Sequence, residues 1–452
     1  MNPRIFREYD IRGHAERDLP DDLVRAIGLA IGEMSYGSKG PVVVGRDCRL
    51  TSPRIFAALT DGLRVIKDVV DIGIVPTPVA YFAQQYLQPS ATVMITGSHN
   101  PAEDNGLKIM VGADTLYGEA ITALGRRAAD LVALRAKAPW WTITQHSISE
   151  AYLARAVHEL KMGPRRPKVV VDAGNGAGGP TAVALYTELG FDVVPLYCEF
   201  DGSFPNHHPD PTQPENLTAL ITAVQHMGAE LGIALDGDAD RVGAVDATGR
   251  ILWGDQLMVL FGRAVLEEVP DAKFVGEVKC SQAMYDALPT CEMWKVGHSL
   301  IKERLRQTGA QLAGEMSGHM FFAHRWMGFD DGIYAGARLL ELLSKTDRTL
   351  SDLAAELPKA INTPEIRVDC PDDLKFDVVA RVTENLRIDP LVQDVVTIDG
   401  VRAKFADGWG LVRASNTQPA LVVRCEAKDQ DALDSIKKTI DEHIKAARLL
   451  AQ

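Results

Sequence analysis

Two stretches of this 452-residue chain carry residue types that could move a charged group. Asp236-Gly237-Asp238-Ala239-Asp240-Arg241 lies between the apolar runs Leu231 to Leu235 and Val242 to Val245. Three carboxylates at alternate positions of an extended segment share one side, and a cation among them relieves their repulsion. All-oxygen ligation points to a hard divalent ion, Mg²⁺ first. An EF-hand loop is excluded, because its sixth and twelfth positions are glycine and glutamate where this chain has Arg241 and Ala247. The plainer alternative is a solvated acidic turn, disfavoured by the buried-strand runs on both sides. The second stretch, Thr96-Gly97-Ser98-His99-Asn100-Pro101, follows the β-branched run that ends at Ile95, where α/β sheets place chemistry. A serine hydroxyl is a weak nucleophile unless its company favours the oxyanion. His99 is not the expected base, since neighbouring side chains on an extended chain diverge, and no Gly-x-Ser-x-Gly elbow surrounds Ser98. Taken alone, this loop is equally a turn with Gly97, Asn100 and Pro101 as breakers. The two stretches complement each other: Mg²⁺ completes its shell with phosphate oxygens, so a phosphorylated Ser98 would join the three aspartates as a ligand. Phosphoryl transfer asks for alignment and charge neutralisation above all.

Two further loops offer recognition chemistry. Gly314-Glu315-Met316-Ser317-Gly318-His319 sets a carboxylate and a hydroxyl, both able to bond sugar hydroxyls, beside an imidazole, though a polar turn would read the same. Arg413-Ala414-Ser415-Asn416-Thr417-Gln418-Pro419 suits a phosphate clamp or a hydrogen-bonded turn. A rival signal is Gly174-x-Gly176-x-x-Gly179, which satisfies a dinucleotide fingerprint between strand and helix, with Glu199 near the distance of a ribose-binding acid. Against it, residues 201–209 read as an irregular loop where a Rossmann half would supply another crossover.

The elements that must position these loops follow an α/β plan. Pro41 to Gly45 reads as a buried strand, Ser52-Pro53 as an N-cap with proline at the first helical position, Ile55, Phe56, Leu59 and Leu63 as a helix face, and Val69 to Gly73 as the returning strand. Lys168 to Asp172, a helix over Thr181 to Leu189 and a strand near Val193 form a second unit. Lys273 to Lys279 and a helix over Leu300 to Gln307 form a third, with no residue-level repeat strong enough to prove duplication. Trp140-Trp141 read as a packed closing edge of the first unit. After Asn362-Thr363-Pro364-Glu365 short strands such as Leu421 to Cys425 and a final helix over about Ala432 to Leu449 suggest a smaller α+β domain.

At 452 residues, two to four domains are expected, and 46% hydrophobic with 24% charged residues describes an ordinary globular protein. A formal charge of −13 weighs against nucleic acid or an anionic membrane as partner but is silent about small phosphates. The six cysteines form no Cys-x-x-Cys pair, which fits a reducing cytoplasm. No signal-like start and no bilayer-length apolar run are visible, so a soluble cytoplasmic protein without a membrane partner is expected.

The serine loop, the three-aspartate loop, Gly-Glu-Met-Ser-Gly-His and Arg-x-Ser-Asn-Thr-x-Pro, in that order over nearly the full chain, resemble the α-D-phosphohexomutase family. The resemblance implies three similar α/β domains with mixed sheets, then a smaller α+β domain that can rotate, all around a central cleft. The expected divisions are 1–144, 145–248, 249–360 and 361–452. It implies Ser98 as phosphoserine, Asp236, Asp238 and Asp240 as Mg²⁺ ligands, Arg241 beside the transferring phosphate, Glu315 and Ser317 as sugar readers, and Arg413, Ser415, Asn416 and Thr417 as the clamp on the unreacting phosphate. Phe6 to Gly13 resembles the family's opening motif, bringing Tyr9 and Arg12 into the cleft. Asn105-Gly106-Leu107-Lys108 resembles a proton-transfer segment, making Lys108 and His319 the general acid/base pair. Trp294 to His298 matches a substrate-contacting stretch with Lys279 nearby; threonine is usual where this chain has Val296, which would remove a polar contact. The matching glycine-rich loop of the family binds no dinucleotide. The implied activity is exchange of hexose 1-phosphate and hexose 6-phosphate by a monomer or weak homodimer, with a hexose 1,6-bisphosphate such as glucose 1,6-bisphosphate as activator. Met316 points to mannose and glucose rather than amino-sugar phosphates.

Overall fold

The computed structural model describes residues 2–112, 114–133, 141–416 and 418–451. Four sheets succeed one another along the chain. The first runs in the order Ile11–His14, Asp104–Val111, Ala91–Ile95, Val42–Arg46, Val69–Ile74, Ile143–Gln145. Its middle, Val42-Val43-Val44, is fully buried, as a parallel strand covered by helices on both faces must be. The second sheet, Ile251–Leu252, Val242–Asp246, Leu231–Leu235, Val169–Asp172, Val193–Leu196, and the third, Met320–Phe322, Leu312–Gly314, Phe274–Glu277, Cys291–Trp294, reproduce one pattern of the first. In each, three parallel strands end in a strand that turns back antiparallel: Ala91–Ile95 to Asp104–Val111, Leu231–Leu235 to Val242–Asp246, Leu312–Gly314 to Met320–Phe322. The Ser98, Asp236 and Glu315 loops are these three equivalent reversals. The repetition absent at residue level is thus present in strand order, because topology outlasts side-chain identity.

The fourth sheet is antiparallel throughout, built mainly of Val401–Phe405, Gly408–Ala414 and Ala420–Ala427, and is backed by the helices Lys375–Ile388 and Gln430–Ala451. The clamp loop is again a reversal, between Gly408–Ala414 and Ala420–Ala427. One apolar core runs continuously through the first three units, from Val79 and Phe82 through Leu185 and Ile233 to Phe322 and Leu340. The fourth unit encloses its own core around Val382, Val423 and Ile440.

Two local expectations are corrected. Ser52 is the first residue of the helix Ser52–Leu63 rather than its cap, because its hydroxyl is drawn to Asp47 at 2.6 Å. Trp141 does flank the edge strand Ile143–Gln145, but by backbone pairing with Arg64 at 3.0 Å, its ring being exposed; Trp140 and Thr417 lie outside the described residues. Among the described residues no helix is long and apolar enough to cross a membrane.

Candidate active site

Ser98 is buried at the crest of its loop with φ +51°. That left-handed backbone breaks the extended geometry expected from the sequence, and it swings His99 onto the serine: Nδ1 lies 3.1 Å from Ser98 Oγ. The expectation that the two side chains diverge is therefore wrong. Arg49, which the sequence did not single out, moulds the loop from beneath. Its guanidinium donates to the carbonyls of Ser98 at 2.8 Å, Asn100 at 2.7 Å and Asp104 at 2.9 Å, and to that of Pro101. The terminal nitrogens of this buried arginine are thus taken up by backbone oxygens, while Nε lies 3.2 Å from Asp47 Oδ2.

Ser98 Oγ donates to Asp236 Oδ2 at 2.9 Å. Asp236, Asp238 and Asp240 are all inaccessible to solvent, and carboxylate oxygens of the three lie within 4.8 Å of one another. The segment is a turn rather than an extended strand, with Ala239 at φ +59°, so the carboxylates converge by curvature. Lys108 Nζ, itself buried, bonds Asp238 Oδ2 at 2.7 Å and also Asp240 Oδ2; Thr77 Oγ1 donates to Asp238 Oδ2 at 2.5 Å. Burial raises the Asp236 pKa well above the usual carboxylate range, helped by Asp240 and Asp238. Burial acts the same way on Asp238, but Lys108 outweighs it and holds that carboxyl below its ordinary value. Asp238 and Asp240 together drive the Lys108 ammonium upward against its own desolvation. Asp238 Oδ1 and Asp240 Oδ1 are buried without a hydrogen-bond partner among the described residues. Two orphaned carboxylate oxygens beside Asp236 and a serine hydroxyl are the donor set of a hard cation, so the residues fit a divalent metal.

The glycine fingerprint has a different purpose from nucleotide binding. A Cβ on Gly176 would lie 2.6 Å from the carbonyl oxygen of Gly237, and one on Gly179 2.2 Å from that of Cys198. Ala177 N donates to Gly237 O at 2.9 Å. Gly176 lets the aspartate loop come against this turn, and Gly179 lets the backbone at Cys198 do the same.

The third reversal meets the second directly. Arg241 and His319 pair as a β-bridge, Val242 N donates to Gly318 O at 3.0 Å, and Arg241 Nε donates to His319 Nε2 at 3.0 Å. The other ring nitrogen of His319 faces Asp330 Oδ2 at 3.2 Å, a second residue that sequence reading missed. The polar pair Asp330-Asp331 between Phe329 and Gly332 was its signal. His298 stacks on His319 with ring centroids 5.6 Å apart, and burial, with Lys302 nearby, holds its pKa well below the usual value. Arg12 reaches the cleft from the edge strand Ile11–His14, bonding Asp10 at 2.7 Å and Asn100 Oδ1 at 3.1 Å. Glu315 Oε1 accepts from Gly297 N at 2.7 Å, and Glu277 Oε1 from Met316 N at 3.1 Å; Ser317 is half-buried on the same turn. Burial lifts the Glu277 carboxyl to about 7, with Lys279 pulling it down and Glu315 pushing it up. Lys279 Nζ lies 3.6 Å from Glu277 and 3.3 Å from Glu365. In the fourth unit Arg413 Nε donates to Asp399 Oδ2 at 3.1 Å, and Lys375 Nζ shapes the clamp loop by donating to Ser415 O at 2.6 Å. Tyr9 OH donates to Val296 O at 2.7 Å and accepts from Asn416 Nδ2 at 2.7 Å, so one phenol joins the first, third and fourth units.

Contacts therefore link the four reversals in turn: Ser98 to Asp236, Arg241 to His319, and Tyr9 to both Val296 and Asn416. Four family models match consecutive stretches: phosphoglucomutase/phosphomannomutase alpha/beta/alpha domain I at residues 3–124, domain II at 150–249, domain III at 253–361 and the C-terminal domain at 365–443. The chain belongs to the phosphoglucomutase/phosphomannomutase family. It is 46% identical over 441 residues to a phosphomannomutase/phosphoglucomutase of Pseudomonas putida, covering 96% of this chain and 94% of the relative. It is 43% identical over 449 residues to a phosphoglucomutase of Neisseria gonorrhoeae, covering 96% and 95%. A crystal structure of a phosphoglucomutase/phosphomannomutase family protein from Burkholderia thailandensis superposes with a TM-score of 0.91 at 41% identity over 99% of this chain and 98% of that one. The four-domain architecture expected from the sequence is that of these relatives.

Proposed function

We propose that this enzyme interconverts hexose 1-phosphate and hexose 6-phosphate, accepting mannose and glucose, through a phosphoserine at Ser98 and a hexose 1,6-bisphosphate that turns end for end within the cleft. The observation that carries this reading is the juxtaposition of a buried serine hydroxyl, 2.9 Å from Asp236, with an anionic cluster that is only partly neutralised. Asp236, Asp238, Asp240 and the Ser98 phosphate would hold Mg²⁺, which when bound offsets charge on the phosphoryl group. Arg241 and Arg12 add fixed positive charge at the same place, where it counts most for a dissociative phosphoryl transfer. Lys108, held between two carboxylates, acts as a neutralising donor to an anion rather than as a base. His319 Nε2, which accepts from Arg241 Nε in this structure, becomes free to take the proton of the attacking sugar hydroxyl once Arg241 turns to the phosphoryl group, with Asp330 facing Nδ1.

Recognition falls to Glu315 and Ser317 for hydroxyls and to Lys279, His298, Tyr9, Arg413, Ser415, Asn416 and Thr417 for the phosphate that is not reacting. One clamp must serve two orientations of the sugar, so specificity is broad. Glucose 1,6-bisphosphate activates by loading Ser98. The test is intact mass before and after incubation with glucose 1,6-bisphosphate and Mg²⁺, with peptide mapping across Ser98. A single phosphate on Ser98, removed by excess hexose monophosphate, is the expected result; no phosphate on any serine overturns the mechanism.

A further inference from the structure

The third and fourth domains meet through a contact that sequence motifs do not mark. One carboxylate oxygen, Asp399 Oδ2, accepts from Arg413 Nε at 3.1 Å and from the backbone N of Val296 at 3.0 Å. The first bond is within the fourth domain and the second crosses to the third. Asp399 is set against Arg413 by Gly400, whose φ of +75° and close approach exclude a side chain: a Cβ there would lie 2.3 Å from Val412 O and 2.7 Å from Arg413 Cα. With Nε occupied, Arg413 Nη2 is buried and has no hydrogen-bond partner among the described residues. An arginine anchored through Nε presents its outer nitrogens in a fixed plane, the geometry that anion recognition uses. On the other side, the Val296 peptide is held at both ends, its N–H by Asp399 and its carbonyl by Tyr9, which also bonds Asn416. The Val296 side chain packs on the interdomain cluster of Val278, Trp409 and Leu411.

We infer that Asp399 is a positioning residue that makes the aim of Arg413 and the docking of the fourth domain on the third a single event. The inference rests on the proposed reading of Arg413 as a phosphate clamp. Were the fourth domain to part from the third, Val296 would lose its acceptor and Asp399 one of its two partners, so Arg413 is most firmly aimed when the two domains are docked. Substrate phosphate and domain contact then reinforce one another through one oxygen atom.

The experiment compares Asp399→Ala, Asp399→Asn, Arg413→Ala and the double variant Asp399→Ala/Arg413→Ala in steady-state kinetics with glucose 1-phosphate and mannose 1-phosphate, alongside hydrogen exchange of the peptide spanning residues 294–298. Asp399→Ala is expected to raise KM by about tenfold or more, the size of a lost charge-assisted hydrogen bond, with kcat changed less than about threefold. Asp399→Asn, which keeps an acceptor, should fall between it and wild type. Exchange at Val296 should quicken most in Asp399→Ala and to a smaller degree in Arg413→Ala, and in KM the double variant should be little worse than Arg413→Ala alone. Unchanged KM and exchange in Asp399→Ala, or losses that multiply in the double variant, overturn the inference while leaving the clamp intact. Unchanged KM in Arg413→Ala overturns the clamp reading and the inference with it. Should Asp399→Ala fail to fold, Asp399→Asn decides by the same two readouts, wild-type values counting against the inference.

Discussion

The half of the cleft built on Ser98 and the three aspartates joins domains that share one apolar core, whereas the half built on Lys279, Glu315 and Arg413 joins the third domain to a fourth that has a core of its own. In the first half the partners are buried and paired inside one apolar core shared by three domains. In the second, Glu315 and Arg413 are each bonded within their own domain, and the seam to the fourth domain, with its separate core, is bridged by Lys279 with Glu365 and by Asp399 with Val296. Arg402 donates across that seam to the carbonyls of Val278 at 2.7 Å and Cys280 at 2.8 Å, and Glu365 reaches Lys279. On the proposed function, the difference teaches that the reacting group is preorganised within a shared core and the recognising groups are brought together across a seam. Fixed charges suit the phosphoryl transfer proposed for Ser98, and a seam between separate cores suits the turning intermediate proposed with it.

Ser98→Ala tests the preorganised half most severely: turnover with either hexose phosphate is expected to vanish, with thermal stability close to wild type. Retained turnover would break the contrast at its root. Lys108→Met leaves Asp238 and Asp240 uncompensated; we expect kcat to fall about 10²- to 10³-fold and stability by about 3–5 kcal/mol, part of the latter restored by Mg²⁺ in a thermal melt. A loss confined to KM would move Lys108 to the recognising half. Glu315→Gln should instead act mainly on KM, by about tenfold, because it removes a contact made in both ground and transition states.

A pH series separates the halves by stability. The Glu277 carboxyl, lifted to about 7 by burial, contributes stability that is fully present below its unfolded value near 4.5 and is lost as pH rises through 7. The wild-type melting temperature should therefore decline between pH 5 and 7, and Glu277→Gln should flatten that slope. An unchanged slope would place the titration elsewhere, for instance at Asp331, which burial also lifts to about 7. The smallest effect is expected from Val296→Thr, which sets a hydroxyl against Val278, Trp409 and Leu411. A cost of about 1 kcal/mol or less and a KM change below threefold would match a packing role. A lower KM would show that the hydroxyl supplies the polar contact expected from the family pattern.

Local order in the chain determined a good deal. The β-branched runs, the breakers after them and the spacing of Asp236, Asp238 and Asp240 identified strands, the loops that end them and a cluster of carboxylates suited to a cation, because these depend on residues within a few positions of each other. The same locality misled where one dihedral decided direction: the positive φ at Ser98 brought His99 to the serine, and the turn at Ala239 gathered carboxylates that an extended segment would have aligned. Tertiary structure alone decided the rest. Arg49 under the serine loop, Asp330 beside His319, the glycines of the Gly174 loop beneath Gly237 and the shared oxygen of Asp399 all act through partners distant in sequence or set by a fold-dependent approach. Residue type and spacing carry the chemistry a side chain can do, but a buried charge is defined by whatever the fold brings within hydrogen-bond reach of it.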